Sequence, residues 1–94
     1  MSNILVVHIP ERFDFSYHKK LNESTDAGLK DSKVNLISLD FSQVNYLDSA
    51  ALGMVVYLHK KAVAVNKKVQ ITNAVGVAEE ILNVANINKI IEIK

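Results

Sequence analysis

The sequence predicts an α/β fold in which helices pack mainly on one face of a mostly parallel sheet. Strand-like and helix-like segments alternate along the chain, which is typical of crossover connections between parallel strands. Right-handed crossovers place such helices predominantly on the same face. Apolar residues make up 49% of the 94 residues and charged residues 22%, so we expect a single globular domain spanning residues 1–94.

The first half of the chain predicts two clear strands and one helix. Residues 3–9, NILVVHI, have the apolar character of a strand. Residues 11–15 are predicted to form a turn or short strand, followed by a helix that Ser16 caps and Gly28 ends. Residues 34–41 form the clearest strand, and its apolar side chains on both faces indicate a central position in the sheet.

The second half predicts two more helices and two more strands. After a loop over residues 42–48, residues 49–66 have helical spacing, and their first two turns are apolar nearly all round. A strand over 68–72, a helix over 76–85 and a closing strand over 90–93 complete the alternation. The side of the first of these helices that we expect to be buried consists of Ala51, Val55, Leu58 and Ala62.

Composition and motifs exclude several classes of function. Eleven Lys and Arg against ten Asp and Glu give a net charge of +1, without the basic stripe that nucleic-acid binding requires. The absence of cysteine excludes disulfides and thiolate chemistry. The sequence has no glycine-rich nucleotide motif, no nucleophile elbow and no metal-binding histidine spacing. We therefore expect a protein that is not an enzyme and that holds no cofactor and no metal.

The distribution of apolar residues predicts a soluble, cytoplasmic protein. The N-terminus enters strand-like residues without a basic segment or a small-residue cleavage site, so no secretion signal is expected. The longest apolar run, residues 50–58, is about half the roughly 20 residues that a membrane-spanning helix needs. No membrane insertion is expected.

Residues 40–53, DFSQVNYLDSAALG, are the candidate site, because they connect the central strand to the apolar helix. Ser49 lies at or next to the N-cap of this helix, where a hydroxyl that accepts from a free amide contributes about 1 kcal/mol. Asp48 adds a favourable charge near the positive end of the helix dipole. The residues alone favour this structural role. A hydroxyl beside more apolar surface than one buried face requires is also typical of a docking surface with a chemical switch.

The candidate site resembles the signature of the STAS family, which includes the anti-sigma factor antagonists of bacterial partner-switching systems. The pattern Asp-x-Ser-x-Val-x-x-x-Asp-Ser-Ala-Ala-Leu-Gly occupies residues 40–53, and Phe13-Asp14 resembles the Leu-Asp that follows the first strands of the family. Residues 81–91 resemble its third helix and last strand. The resemblance implies a mixed sheet with helices on one face, and a binding protein that is itself no enzyme.

The resemblance also implies partners and a modification site. Antagonists of this family bind an anti-sigma factor that is also a serine kinase, which releases them by phosphorylating the serine that matches Ser49. A serine phosphatase restores binding. ATP belongs to the kinase and not to the antagonist. The residues expected at the partner-binding surface are Asp14, Asp40, Asp48, Ser49, Gly53, Met54, Val56 and Tyr57.

Two departures from the family pattern keep other functions open. Glu11 stands where a Gly is common, in a loop that helps antagonists to contact the kinase, and the sequence ends at Lys94, where many relatives continue into another helix. A homodimer or a permanent partner would cover surface left bare, and one alternative is a constitutive STAS subunit of a lipid-transporting ABC system that binds its ATPase. A third hypothesis is an Mg²⁺-dependent enzyme that uses Asp14, Asp40 and Asp48 with a histidine, although Asp at loop ends is usually a turn or cap residue.

Overall fold

The strands form two sheets, and every strand pair within the described residues 3–94 is parallel. The structure is a computed structural model. Its strands are β1 (Ile4–His8), β2 (Arg12–Phe13), β3 (Leu36–Asp40), β4 (Tyr46–Leu47), β5 (Lys68–Thr72) and β6 (Glu92–Ile93). The larger sheet has the order β1–β3–β5–β6, and the smaller sheet pairs β2 with β4. The predicted α/β class with a mostly parallel sheet is confirmed.

Helices cover one face of the larger sheet. Within residues 3–94 they are α1 (His18–Lys30), α2 (Ser49–Ala64) and α3 (Gly76–Val84), with single 3₁₀ turns at Phe15–Tyr17 and Ile87–Lys89. Side chains alternate across a strand, so Ile37 and Leu39 on β3 and Ile71 on β5 share one face. All three are fully buried in the core that the helices close, whereas Val6, on the other face of β1, is half exposed.

The buried side of α2 is the one that the helical spacing predicts. Every side chain of that predicted set is at most 2% exposed, and the set lies in the same core cluster as the inward residues of β3 and β5. The buried residues of α2 are Ala51, Val55, Leu58 and Ala62. Two of these residues are alanines, and the single residue Asp48 joins the end of β4 to the start of α2.

The limits of α1 differ from the sequence prediction. Ser16 does not cap this helix, because it lies within the preceding 3₁₀ turn, where Asp14 accepts a hydrogen bond from the Ser16 amide. Gly28 does not end the helix, which continues to Lys30. A Cβ added to Gly28 would lie 2.5 Å from Leu5 Cδ2. The glycine therefore serves the close approach of α1 to β1 and not a helix stop.

Residues 42–48, predicted as a loop, contain the short strand β4. Tyr46 lies opposite Arg12, and Leu47 opposite Phe13, in a parallel ladder of two residues on each side. Phe13 and Leu47 are buried, and the Phe13 ring makes edge-to-face contacts with the rings of Tyr17 and Phe41, at centroid distances of 5.8 and 6.0 Å. Burial of these two side chains attaches the small sheet to the main core.

Two helical glycines provide a matched test of this packing. A Cβ on Gly53 would meet no heavy atom within 4 Å, so we expect Gly53→Ala to raise the free energy of unfolding by about 0.8 kcal/mol through helix propensity alone. Gly28→Ala brings the same propensity gain, but the Leu5 side chain must move, which offsets it. Urea denaturation of both variants measures the difference. Equal stabilisation would show that Leu5 moves without cost.

Candidate functional site

Ser49 is the first residue of α2 and is exposed to solvent. The residue before it, Asp48, has extended backbone, and its Oδ1 accepts a hydrogen bond from the Ala51 amide at 2.9 Å. Asp48 is therefore the N-cap, and its carboxylate satisfies the amide that the sequence analysis offered to the serine hydroxyl. The helix start does not need the Ser49 hydroxyl, so the capping role is corrected in favour of Asp48.

The β2–β4 ladder places Asp14 beside Asp48. Parallel strands end at the same edge of a sheet, and these two residues directly follow the last paired positions, Phe13 and Leu47. The amide and hydroxyl of Ser16 donate to Asp14 Oδ1 at 2.9 and 2.5 Å. The hydrogen bond from the Ser16 hydroxyl, followed by those from the Arg12 guanidinium and the Ser16 amide, lowers the pKa of Asp14. The site edge therefore carries two carboxylates.

Arg12 pairs with the first of these carboxylates, Asp14, and was not singled out by the sequence analysis. Its Nε donates to Asp14 Oδ2 at 2.8 Å, and its guanidinium carbon lies 4.8 Å from the centroid of the Tyr46 ring. The hydrogen bond and charge of Asp14, followed by smaller effects of Tyr46 and Asp48, raise the pKa of Arg12. The available signal was the pattern Arg-x-Asp in an extended segment, which puts both side chains on one side.

Asp40, at the end of β3, connects the ends of three neighbouring strands through its hydrogen bonds. His8 Nδ1 lies 2.9 Å from its Oδ2, while the Ser42 amide and Asn73 Nδ2 donate to its Oδ1 at 2.9 and 3.0 Å. The hydrogen bonds from Asn73 and Ser42 lower the pKa of Asp40 from its ordinary value of 3.8 to about 2. With 14% of the side chain exposed, this carboxylate holds the loop that leads to β4 and Ser49.

The outer side of α2 carries the predicted apolar contact residues and two shallow grooves. Gly53 and Tyr57 are exposed, and Met54 and Val56 are partly buried. The first groove, about 340 Å³ between α2 and α3, is lined by Leu52, Val77, Glu80, Ile81, Val84 and Ala85. The second, about 410 Å³, shares Leu52 and Ala85 and adds Gly53, Val56, Tyr57, Lys60, Ile87 and Ile90. Together these α2 grooves form a continuous, mostly apolar surface, and Met54 lines neither of them.

The outer side of α3 contributes to the first groove. Val77 is 56% exposed and lines this groove. Ala78 and Leu82 are the buried residues of this helix. The small Ala78 side chain permits the closest approach to the core, so the helix turns this residue inward and leaves Val77 outside.

The described residues hold no candidate metal centre. Asp14, Asp40 and Asp48 each accept hydrogen bonds from their own neighbours, and within residues 3–94 no three His, Asp or Glu side chains come together as metal ligands would. Among the helices of residues 3–94, none combines the length and apolar character needed to cross a bilayer.

Comparisons with known proteins identify similar sequences and folds. The family profile described as "STAS domain" matches residues 1–94. A STAS-domain-containing protein of Pseudomonas aeruginosa strain UCBPP-PA14 is 27% identical over 89 residues, which cover 95% of this chain and 86% of that protein.

Solved structures with 13–19% sequence identity share the fold. Thermotoga maritima TM1081 superposes with a TM-score of 0.80 at 19% identity, covering 99% of this chain and 80% of that one. The anti-sigma factor antagonist SpoIIAA in its unphosphorylated form gives 0.79 at 13% identity, with coverages of 97% and 79%. Phosphorylated SpoIIAA from Bacillus gives 0.72 at 13% identity, with coverages of 100% and 85%.

Alanine variants at the start of α2 separate the capping role from the exposed hydroxyl. Asp48→Ala leaves the Ala51 amide without its acceptor and should lower the free energy of unfolding by about 1 kcal/mol. Ser49→Ala removes an exposed hydroxyl that caps nothing and should change it by less than about 0.5 kcal/mol. Chemical denaturation of both variants measures this difference. A larger cost for Ser49→Ala than for Asp48→Ala would contradict the assignment of the cap.

The depressed pKa of Asp40 predicts acid sensitivity. The unfolded chain binds this proton near the ordinary value of 3.8, and the folded protein only near 2. The stabilisation is therefore complete above about pH 4 and lost as the pH falls towards 2. Denaturation between pH 5 and pH 2 should show a smaller decrease in stability for Asp40→Asn than for wild type. Parallel curves would show that Asp40 contributes nothing to the acid transition.

Proposed function

The chain belongs to the STAS domain family, and on that premise we propose that it is a non-enzymatic partner-switching protein. It binds an anti-sigma factor/serine kinase in its unmodified form and is released when Ser49 is phosphorylated. The observation that carries the proposal is the exposed Ser49, whose hydroxyl the cap does not use, at the start of the helix that bears the apolar grooves. SpoIIAA, which has this fold, is an anti-sigma factor antagonist with known unphosphorylated and phosphorylated forms.

The docking surface proposed for the kinase consists of the Ser49 end of α2 and the α2 grooves. Unmodified Ser49 is small and neutral, so a partner can cover it at little cost in desolvation. Tyr57 is 60% exposed beside the second groove and offers the kind of aromatic anchor that contributes strongly at interfaces. Apolar surface of this extent on one helix exceeds what its single buried side requires.

Phosphorylation is a group transfer from ATP that the kinase catalyses. The bond between Ser49 Oγ and the γ-phosphorus forms, the bond from that phosphorus to the oxygen of ADP breaks, and the hydroxyl proton leaves to a base of the kinase. A serine phosphatase reverses the change by hydrolysis: a water oxygen attaches to phosphorus, the bond from phosphorus to Ser49 Oγ breaks, inorganic phosphate leaves, and Ser49 Oγ regains a proton. The STAS protein supplies the acceptor hydroxyl and no catalytic group.

Electrostatics explains why the modification would release the partner. The phosphate adds about −1.5 to −2 charges at pH 7, directly beside the Asp48 carboxylate. A partner packed over Ser49 would have to bury this charge, and an unpaired buried charge costs several kcal/mol. A loss of roughly 4 kcal/mol weakens binding about a thousandfold.

The proposal is tested with the cognate kinase, ATP and two alanine variants. We expect intact-mass analysis to show one added phosphate on wild type and on Ser42→Ala, which removes another exposed serine nearby, and none on Ser49→Ala. Calorimetry should show that the phosphorylated protein binds the kinase about a thousandfold more weakly than the unmodified protein.

Two outcomes would overturn the proposal. One is equal phosphorylation of Ser49→Ala and wild type by the cognate kinase. The other is recovery from the native host of a lipid-transporting ABC ATPase, bound with the same affinity by the unmodified protein and by protein carrying phosphate on Ser49. That second outcome would favour the alternative function, a constitutive transporter subunit.

A further inference from the structure

We propose that Arg12 binds the phosphate on Ser49 and holds it against the protein's own surface in the released state. The inference rests on the proposed function, because it requires a phosphate at Ser49. It adds the group that receives this phosphate, which neither the sequence pattern nor the comparisons identify. Arg12 is the only arginine among the 94 residues, and the other ten basic residues are lysines.

The direction of the Arg12 side chain is fixed by two contacts. Its guanidinium lies over the Tyr46 ring, on the neighbouring strand, so the side chain leans across from β2 to β4. Its Nε also donates to Asp14, the residue that directly follows β2, so the side chain points towards the end of the ladder. Asp48 is the matching residue beyond β4, and Ser49 is the next residue in the chain. The guanidinium therefore lies at the edge where α2 begins.

Breaking the ion pair between Arg12 and Asp14 costs little free energy. The Arg12 side chain is 72% exposed, so its rotation is not blocked by packing. Asp14 keeps both hydrogen bonds from Ser16 when the guanidinium leaves. Its carboxylate is therefore not left without donors, and the aromatic contact with Tyr46 still limits where the guanidinium can go.

A phosphate on Ser49 is the stronger acceptor at this edge. It offers three oxygens and up to two charges, against the single charge of Asp14. The planar guanidinium donates two parallel hydrogen bonds to such a group, a geometry that a lysine ammonium cannot provide. Asp48 lies next to the phosphate and repels it, so the arginine relieves a repulsion as well as forming a pair.

The experiment uses full-length protein in which phosphoserine is incorporated at position 49 during translation, so no kinase is required. The ³¹P NMR shift is followed as a function of pH to obtain the second pKa of the phosphate. We expect this pKa to be about half a unit higher in Arg12→Gln than with Arg12 present. Lys60→Gln removes the same charge eleven residues along α2, roughly 16 Å away, and should leave the phosphate pKa unchanged.

Two further measurements exclude indirect effects. Arg12→Lys retains the charge but cannot donate two parallel hydrogen bonds. We therefore expect its phosphate pKa to lie between the values with Arg12 present and in Arg12→Gln. Because Arg12 is the only arginine, its Nε–H resonance is unambiguous, and in the phosphoprotein it should shift with the same midpoint as the phosphorus signal. The inference is overturned if Arg12→Gln leaves the phosphate pKa unchanged, if Lys60→Gln shifts it equally, or if the Nε–H resonance does not follow the titration.

Failure of this inference and failure of the proposed function are distinguishable. A kinase that does not modify Ser49 contradicts the proposed function, while the titration of incorporated phosphoserine still reports on Arg12. An unchanged phosphate pKa in Arg12→Gln contradicts the role of Arg12, and leaves the kinase experiment unaffected.

Discussion

The hydrogen bond from the Ala51 amide to Asp48 Oδ1 determines what the rest of the site can be. It fixes the first turn of α2 and satisfies an amide that would otherwise need the neighbouring hydroxyl. Because the aspartate performs this task, Ser49 is free of a structural duty at the most exposed position of the helix start. Modification of a serine that also capped the helix would remove the cap and weaken the fold. Because Asp48 is the cap, the proposed modification of Ser49 leaves the helix start intact.

Two sets of contacts hold the residues around this hydrogen bond: hydrogen bonds at the ends of the strands, and contacts between aromatic rings in the core. Asp40 joins the ends of β1, β3 and β5 through His8, Ser42 and Asn73, which holds the loop that leads to β4. Phe13 attaches the small sheet to the core through contacts of its ring with the rings of Tyr17 and Phe41. Asp14, Asp40 and Asp48 each accept hydrogen bonds from local donors, and their contact with a partner stays a prediction. The docking surface proposed for the partner is formed mainly by apolar side chains of α2.

The sequence predicted those parts of the molecule that depend on repeating patterns. Helical spacing predicted the buried side of α2, and alternation of strands and helices predicted the parallel sheet. Patterns could not predict β4, because two residues are too few to show a period. They assigned Gly28 to a helix end, although its function is the close approach to Leu5, a contact that only the folded chain creates.

The candidate site was predictable in position but not in the roles of its residues. Asp and Ser are both good N-cap residues, so the pair Asp48-Ser49 leaves the cap ambiguous until the backbone is known. Arg12 was missed because its significance arises from the ladder that sets it opposite Tyr46. The spacing of residues in the sequence does not predict the contact between Arg12 and Tyr46, because 34 positions separate them.

Ser49 lies on a helix whose opposite side is buried in the core, and this burial limits how a change at Ser49 can affect the rest of the domain. Ala51 and Val55, immediately beneath the first turns of α2, have no exposed surface, and close packing leaves them no second arrangement. A group attached to Ser49 therefore has no mechanical route into the interior. In the proposed switch, the domain would therefore carry the phosphate on an unchanged fold, and a partner would have to contact the phosphate itself to respond to it.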